Sequence, residues 1–458
     1  MKLKVFLAIL LGRAVRLVSR LVHRGGTDMP GRLALKLCPE LLDVLSRDVK
    51  TVAVTGTNGK TTSARMIEQA FSDLGLSYLA NRSGANLISG ITTEFLMNAT
   101  LGGRPKKDYA VIECDEAAAV GVFPRLKPRV VVVTNLFRDQ LDRYGEVTHT
   151  LANIRRALSE TPETVLCLNA DCSLTASLAL DLPNRVAWYG VNEGAVPSRG
   201  APALSDATHC IRCRTAYEYA YVTYGHLGGF RCPGCGYARP TPDYAVTEVA
   251  AQRADGSDVV LSLRGTLRAV HVNLPALYNI YNAAGAAAAV CEMGFGGEAA
   301  AAALEKFRCG FGRMETFPLG KRGARMMLVK NPAGCNQVLE FLQQEIREPF
   351  VLAVCLNDRA ADGRDVSWIW DADFELLPAL GSRLERVLVS GDRAADMHVR
   401  VKYAGVPESR ISEMRDYEAL VSALAAEEKP VFLMPTYTAM LELRQVVIRR
   451  VGGSEFWE

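Results

Sequence analysis

A short β-branched run that turns into a glycine loop and then a helix constrains this chain most. Residues 51–55 read TVAVT, and Gly56-Thr57-Asn58-Gly59-Lys60-Thr61-Thr62 follows directly. Beyond it Ala64, Ile67, Ala70, Phe71 and Leu74 recur at helical spacing, which predicts a helix over 61–75. Strand, glycine turn and helix start in this order make a phosphate cradle. Glycines let backbone N–H groups approach phosphate oxygens, and the helix end contributes partial positive charge. Lys60 offers a cation to terminal phosphates, and the Thr61 hydroxyl offers a ligand to Mg²⁺. One departure stands out: the general pattern G-x-x-x-x-G-K-[ST] calls for glycine where this chain has Val54.

Such a loop sits in a mostly parallel α/β sheet, and the chain keeps that alternation. Residues 109–113 (YAVIE), 129–134 (RVVVVT), 164–168 (TVLCL) and 185–189 (RVAWY) read as further strands between helical stretches. A Gly/Pro/Ser/Ala-rich loop covers 190–206; short alternating strands over 244–272 then lead to an Ala-rich helix at 275–293. A new α/β unit begins near 320, with strands at 326–329, 350–355, 386–390 and 430–434. The expected organisation is a basic amphipathic helical segment (1–49), an ATP-binding domain (50–317) with an insertion at about 207–240, and a Rossmann-like α/β domain (318–458). With 458 residues, 49% of them apolar, such cores need no disulfides. The 53 basic and 50 acidic residues leave a net charge of +3, which argues against a nucleic-acid partner.

The first residues, MKLKVFLAILLGRAVRLVSRLVHR, hold an apolar run at 5–11 that is too short to cross a bilayer. Arg13, Arg16, Arg20 and Arg24 then recur every three to four residues, where a signal peptide would place a small-residue cleavage site. Two readings stay open: an amphipathic helix packed on the body, or an interfacial helix drawn to anionic lipid.

Twelve cysteines are present. Cys210-Ile211-Arg212-Cys213 and Cys232-Pro233-Gly234-Cys235 are separated by 18 residues. Four thiolates so spaced suit tetrahedral Zn²⁺ in a two-knuckle ribbon, and a full set of cysteines leaves no open position, so the zinc is read as structural. An iron–sulfur centre or a redox dithiol are the alternatives. The other cysteines are scattered, mostly in apolar runs, as reduced cytoplasmic thiols would be.

The segment TGTNGKTT resembles the Mur ligase family, which uses ATP to convert a carboxylate to an acyl phosphate that an amine then attacks. The strand ending in Val111-Ile112-Glu113-Cys114-Asp115-Glu116 is similar to the one that carries the family's magnesium-binding glutamate. The resemblance therefore assigns Mg²⁺ to Thr61 and Glu113, with Asp115 and Glu116 nearby; capping of the next helix is the alternative for these acids. Residues 134–145, TNLFRDQLDRYG, are similar to the family's TN…DHxDRYG segment, with Gln140 in place of histidine. Arg155 and Arg156 stand where many members carry a carbamylated lysine; arginine cannot form that carbamate, so a second Mg²⁺ held that way has no ligand here. Asn279 and Asn282 match NxxNxxAA, which gives Asn282 the adenine, and Arg313 in Gly312-Arg313-Met314-Glu315 matches an R-x-E segment that contacts phosphate. The ATP site so implied is Gly56, Thr57, Asn58, Gly59, Lys60, Thr61, Thr62, Asn282 and Arg313.

Toward the carboxyl end, Leu356-Asn357-Asp358-Arg359-Ala360-Ala361-Asp362-Gly363 follows a buried strand, where open α/β sheets place their chemistry. With the ribbon, Lys330-Asn331-Pro332-Ala333-Gly334, Ser390-Gly391-Asp392-Arg393 and Met434-Pro435-Thr436-Tyr437-Thr438, it resembles the MurT branch, the ligase subunits of lipid II isoglutaminyl synthases. That resemblance implies ATP-dependent amidation of the α-carboxyl of D-glutamate in the lipid II stem peptide, giving D-isoglutamine for peptidoglycan synthesis. It implies ammonia from glutamine, hydrolysed by a GatD-like amidotransferase in a heterodimer. An aspartate of this chain then completes the partner's Cys/His triad: Asp362, with Asp358 as the alternative, and a turn-capping acid as the plain reading of Asp362. The six histidines of the chain lie in no recognisable nucleophile setting, which agrees with a borrowed glutaminase. Lys330 and Asn331 are expected to help seat nucleotide or substrate. The expected location is cytoplasmic, with the inner membrane face reached if the first helix binds lipid. A stand-alone Mur-type ligase and a nucleotide-binding zinc-ribbon regulator are the competing functions.

Overall fold

The structure is a computed structural model describing residues 2–21, 27–81, 85–139, 147–198, 206–308 and 313–452, with the backbone only at 20, 21 and 313. Three helices lead, α1 (Lys2–Leu21), α2 (Met29–Leu37) and α3 (Leu41–Ser46). The glycine loop then joins β1 (Lys50–Thr55) to α4 (Lys60–Asp73). The alternation continues through β2 (Tyr78–Ala80), α5 (Ile88–Met97), β3 (Tyr109–Glu113), α6 (Ala119–Leu126), β4 (Val130–Val133), α7 (Val147–Ser159), β5 (Val165–Asn169) and β6 (Val186–Val191). A small hairpin, β7 (Glu218–Tyr224) and β8 (Leu227–Arg231), precedes the meander β9 (Tyr244–Arg253), β10 (Gly256–Leu263) and β11 (Thr266–Val272). Helices α8 (Leu277–Glu292) and α9 (Gly297–Lys306) follow.

These strands form one nine-stranded sheet in the order β11-β10-β9-β6-β5-β4-β1-β3-β2, from which the β7–β8 hairpin stands apart. From β9 to β2 every pairing is parallel; β10 and β11 extend the edge antiparallel. The sheet is thus mixed, with the expected parallel part at its centre. β1 lies between β3 and β4, and all four valines of β4 are fully buried, which is why this stretch reads as an unbroken apolar run. The register also explains Val54. It pairs with Glu113 inside the sheet, so the turn begins only at Gly56. Gly56 has φ +117°, and a Cβ there would come within 2.4 Å of Thr134 Oγ1 and 2.8 Å of the Asn135 carbonyl, so glycine is required at this point.

A second sheet has the order β12-β13-β17-β14-β15-β16, built from β12 (Arg313–Phe317), β13 (Ala324–Met327), β14 (Phe350–Cys355), β15 (Leu384–Ser390), β16 (Ile411–Glu413) and β17 (Val431–Pro435). Only β12 is antiparallel. Helices α10 (Pro332–Glu345), α11 (Ala394–Tyr403), α12 (Tyr417–Ala425) and α13 (Tyr437–Val451) alternate with its strands. Fully buried β14 is the central strand that carries the acidic segment at its carboxyl end. At the amino end α1 packs on the body: Val5, Ala8 and Ile9 are buried, and Gly12 lies against Leu96 of α5.

Candidate functional site

The loop from β1 to α4 is held open by its neighbours. The Asn135 side chain accepts from Asn58 N at 3.0 Å and donates to the Asn58 carbonyl at 3.1 Å. Thr57 N donates to the Asn135 carbonyl, and the Thr57 hydroxyl donates to the Phe137 carbonyl at 3.2 Å. Lys60 Nζ lies within the loop, donating to the Gly56 carbonyl at 2.6 Å and to Glu116 Oε1 at 3.0 Å. Burial opposes its charge, but Glu116, Asp115 and Glu113 outweigh that cost and hold its pKa above the ordinary lysine value. The ammonium is therefore kept charged at neutral pH, poised beside the phosphate cradle.

The acids at the end of β3 divide their tasks. Glu113 Oε2 accepts from the Thr61 hydroxyl at 2.7 Å, so the structure brings together the two expected Mg²⁺ ligands. A hard hydroxyl and a carboxylate at the edge of the cradle fit Mg²⁺, which when bound would neutralise phosphate charge there. Asn81 fixes this corner, donating to the Glu113 carbonyl at 2.7 Å and accepting from Glu113 N at 2.9 Å. Glu116 faces Lys60, and Asp115 accepts from Ala117 N at 3.0 Å in the turn that precedes α6. No side chain caps α6, whose cap residue is Ala118, and Glu113 and Glu116 face Thr61 and Lys60.

Across the loop lies a cleft between the two sheets, lined by Asn58, Gly59, Asn282, Tyr224, Met327 and Gln337 among others. Asn282 stands against Gly59: a Cβ at 59 would lie 2.0 Å from Asn282 Oδ1. Its amide donates to Asn279 Oδ1 at 3.2 Å, so the two asparagines of α8 act as a pair. Lys330 and Asn331 reach in from the second sheet. The Asn331 amide pairs with the Asn58 amide at 3.0 and 3.3 Å, and Lys330 pairs with Asp139. Arg313 begins β12, and its side chain lies outside the described residues, as does the stretch 140–146. Glu315, two residues on, is held by Arg444 of α13 through contacts of 2.8–3.1 Å.

At the carboxyl end of β14 the two candidate acids differ. Asp362 is 4% exposed; it accepts from Thr438 N at 2.7 Å, from the Thr438 hydroxyl and from Arg359 N. Burial raises its pKa above the ordinary aspartate range despite those donors. Asp358 is partly exposed and pairs with Arg393 at 3.0 Å.

The four cysteines converge. Their sulfurs all lie within 4.8 Å of one another, with Cys210–Cys235 at 3.6 Å and Cys213–Cys232 at 3.3 Å. Zn–S bonds near 2.3 Å in a tetrahedron set sulfurs about 3.8 Å apart, so this donor set fits a closed four-thiolate metal site. Two tight turns build it, one with Arg214 N donating to the Cys210 carbonyl and one with Gly236 N donating to the Cys232 carbonyl. The ribbon is docked rather than dangling. Phe230, Tyr237, Cys210 and Cys232 share a small core with Ala176, and the hairpin tip brings Tyr224 to the cleft wall, stacked on Phe137 at 5.8 Å.

Residues 54–220 match the Mur ligase middle domain, and residues 328–440 match the MurT ligase C-terminal domain. Over 451 residues, 98% of each chain, this chain is 34% identical to the MurT subunit of lipid II isoglutaminyl synthase (glutamine-hydrolyzing) from Streptococcus pneumoniae. The chain belongs to the MurT family. It is 32% identical to the MurT subunit of Staphylococcus aureus strain COL, over 98% of this chain and 99% of that one. Beyond the MurT family, it is similar in fold to a pseudomurein peptide ligase type C from Methanothermus fervidus (TM-score 0.66, 20% identity, 88% of this chain and 79% of that one). It is also similar to the ADP complex of MurF ligase from Thermotoga maritima (TM-score 0.62, 12% identity, 93% and 84%). As a MurT-family protein it is a ligase subunit of peptidoglycan biosynthesis, ATP-dependent like the Mur ligases, with a four-cysteine cluster whose spacing suits a metal ion. No helix among the described residues is long and apolar enough to cross a membrane.

The sequence did not single out the residue that fastens the ribbon to this MurT fold. Asp171 is fully buried and accepts from Arg239 Nε at 2.6 Å, Tyr281 OH at 2.5 Å and Val191 N at 2.8 Å. Tyr281 in turn meets Thr223 of β7 at 2.8 Å. Asn81, Asn135 and Arg444 were also passed over as site-builders. Asn135 alone carried a signal, its place beside Thr134 in the quoted motif.

Proposed function

We propose that the chain activates the α-carboxyl of D-glutamate in a lipid II stem peptide with ATP, and that ammonia converts the resulting acyl phosphate to D-isoglutamine. The carboxylate attacks the terminal phosphoryl group and releases ADP; ammonia then displaces phosphate. The observation that carries this reading is the cradle itself: Lys60 beside the loop, with Thr61 and Glu113 joined at 2.7 Å, in a chain that aligns end to end with MurT subunits. On this reading Gly56, Thr57, Asn58, Gly59, Lys60, Thr61 and Thr62 hold the phosphates, Asn282 lies by the adenine, Arg313 approaches phosphate, and Thr61 with Glu113 holds Mg²⁺. The four cysteines hold structural Zn²⁺.

A glutaminase of the GatD kind supplies the ammonia and docks at the carboxyl end of β14. One of this chain's two acids there, Asp362 or Asp358, orients the partner's histidine. Asp362 is the acid of the Ala-Asp-Gly segment, but its oxygens already serve Thr438 and Arg359. Asp358 is the one that a partner reaches without displacing them. A lipid-linked substrate places the reaction at the inner face of the cell membrane.

Reconstitution with a candidate glutaminase tests this. Amidation of D-Glu lipid II is expected with ATP and ammonia alone, and with glutamine only when the partner is present. Asp358→Asn and Asp362→Asn separate the triad candidates: the true triad acid loses glutamine-driven turnover and keeps ammonia-driven turnover. Equal loss of both in both variants removes the triad role from this pair.

A further inference from the structure

We infer that α1, with α2 beside it, is a docking surface for an anionic phospholipid bilayer. A helix on the outside of a protein normally buries one apolar stripe and shows water a polar face. Here Val5, Ala8, Ile9 and Gly12 make the buried stripe, yet the opposite face is apolar as well. Leu3, Phe6, Leu7, Leu10, Leu17 and Val18 are exposed, Leu3 by 70% and Leu17 by 62%. At 3.6 residues per turn they share an arc of roughly 120° that no polar side chain interrupts. Seven of the seventeen large apolar side chains exposed among the described residues belong to this one helix, and α2 adds Met29 and Leu37. Patches of this kind mark an interaction surface.

Charge identifies the occupant. Residues 1–37 hold eight Lys or Arg and one acid, a net charge of +7, whereas residues 38–458 carry −4. Lys2 and Lys4 on α1 and Arg32 and Lys36 on α2 are exposed. Asp28, the one acid, accepts from Ser89 and turns to the body. An apolar stripe edged by cations is the pattern of a helix lying in a headgroup layer, its side chains in the acyl boundary and its cations on anionic lipid. The packed reading of this helix describes its buried face, and the proposal assigns the interfacial reading to the other.

Flotation of the full chain with vesicles tests it. Wild type is expected to float with vesicles of phosphatidylglycerol and phosphatidylcholine, and to bind phosphatidylcholine alone far more weakly. Leu10→Glu with Leu17→Glu is expected to weaken binding at least tenfold while the thermal midpoint stays within a degree or two, since both side chains face solvent. Lys4→Glu with Arg32→Glu is expected to weaken it by about tenfold or more, each cation near a membrane contributing roughly fivefold. Failure of wild type to float at low salt overturns the proposal, as do variants that bind like wild type. A solution dimer that the leucine variant dissolves, without vesicle binding by wild type, overturns it in favour of a second copy.

Discussion

Replacing Asp171 by alanine tests whether the ribbon is clamped to the ATP-binding sheet by one buried carboxylate. Asp171 is fully buried, and its oxygens take donors from Arg239, Tyr281 and Val191. The Arg239 side chain is only 15% exposed, so truncation strands a guanidinium in the interior. Breaking a buried pair from one side costs about 3–5 kcal/mol. The Val191 N–H, left without its acceptor, adds about 1–3 kcal/mol. Tyr281 retains Thr223 and adds little. A total near 5 kcal/mol, spread over an unfolding entropy of about 0.5 kcal/mol/K for a unit of roughly 250 residues, lowers the midpoint by about 10 °C. Thermal unfolding by circular dichroism reads this. A second variant sharpens it: Asp171→Ala with Arg239→Leu removes the stranded charge and is expected to regain about half of the loss. Because the hairpin also carries Tyr224 to the cleft wall, the KM for ATP is expected to rise in the single variant. A midpoint drop below about 3 °C, or a double variant no better than the single, refutes the clamp.

Three further outcomes follow from the same contacts. Lys60→Ala removes the cation at the cradle and is expected to cut ATP turnover by roughly 10²–10³-fold, with the fold intact by circular dichroism; turnover within threefold of wild type contradicts its role. Cys210→Ser, or removal of metal by a strong chelator, is expected to lower the thermal midpoint and to release one Zn²⁺ per chain by elemental analysis, since a structural metal contributes folding free energy; an unchanged midpoint speaks against it. Glu292 gives a pH signature. Burial works against its charge, but hydrogen bonds from Arg264, Tyr244 and Arg185 hold its pKa below the ordinary value of 4.5. Its contribution is present above that value and is lost as pH falls through the lower folded one. Wild type should therefore exceed Glu292→Gln in midpoint at pH 6, with the gap closing toward pH 3; a gap independent of pH removes Glu292 from the account.

The chemistry of the loop was legible because it is local. Residues 51–62 contain strand, turn and cation in one stretch, and Glu113 ends a strand whose apolar run is unmistakable. Strands 109–113 and 350–355 were read at their observed bounds for the same reason, since near-complete burial leaves a continuous apolar signature. Several short strands escaped: β2 and β16 have three residues each, β8 has five, and β12 pairs antiparallel at an edge, too little sequence for a period to show. Contacts made by folding were out of reach. Asn58 and Asn331 lie 273 positions apart, and Asp171 and Tyr281 lie 110 apart, so nothing local marks either pair. The first helix shows the opposite limit. Its basic period was plain, but only packing reveals which apolar face is covered.

The account rests on transfer of a phosphoryl group from ATP to the substrate carboxylate at the Lys60 loop. Lipid II carrying ¹⁸O in the α-carboxyl of D-glutamate measures this directly. With ATP and ammonia, one labelled oxygen should appear in inorganic phosphate for each amide formed, and Lys60→Ala should slow the transfer by roughly 10²–10³-fold. Amide formed with unlabelled phosphate, or with release of AMP and pyrophosphate, contradicts it.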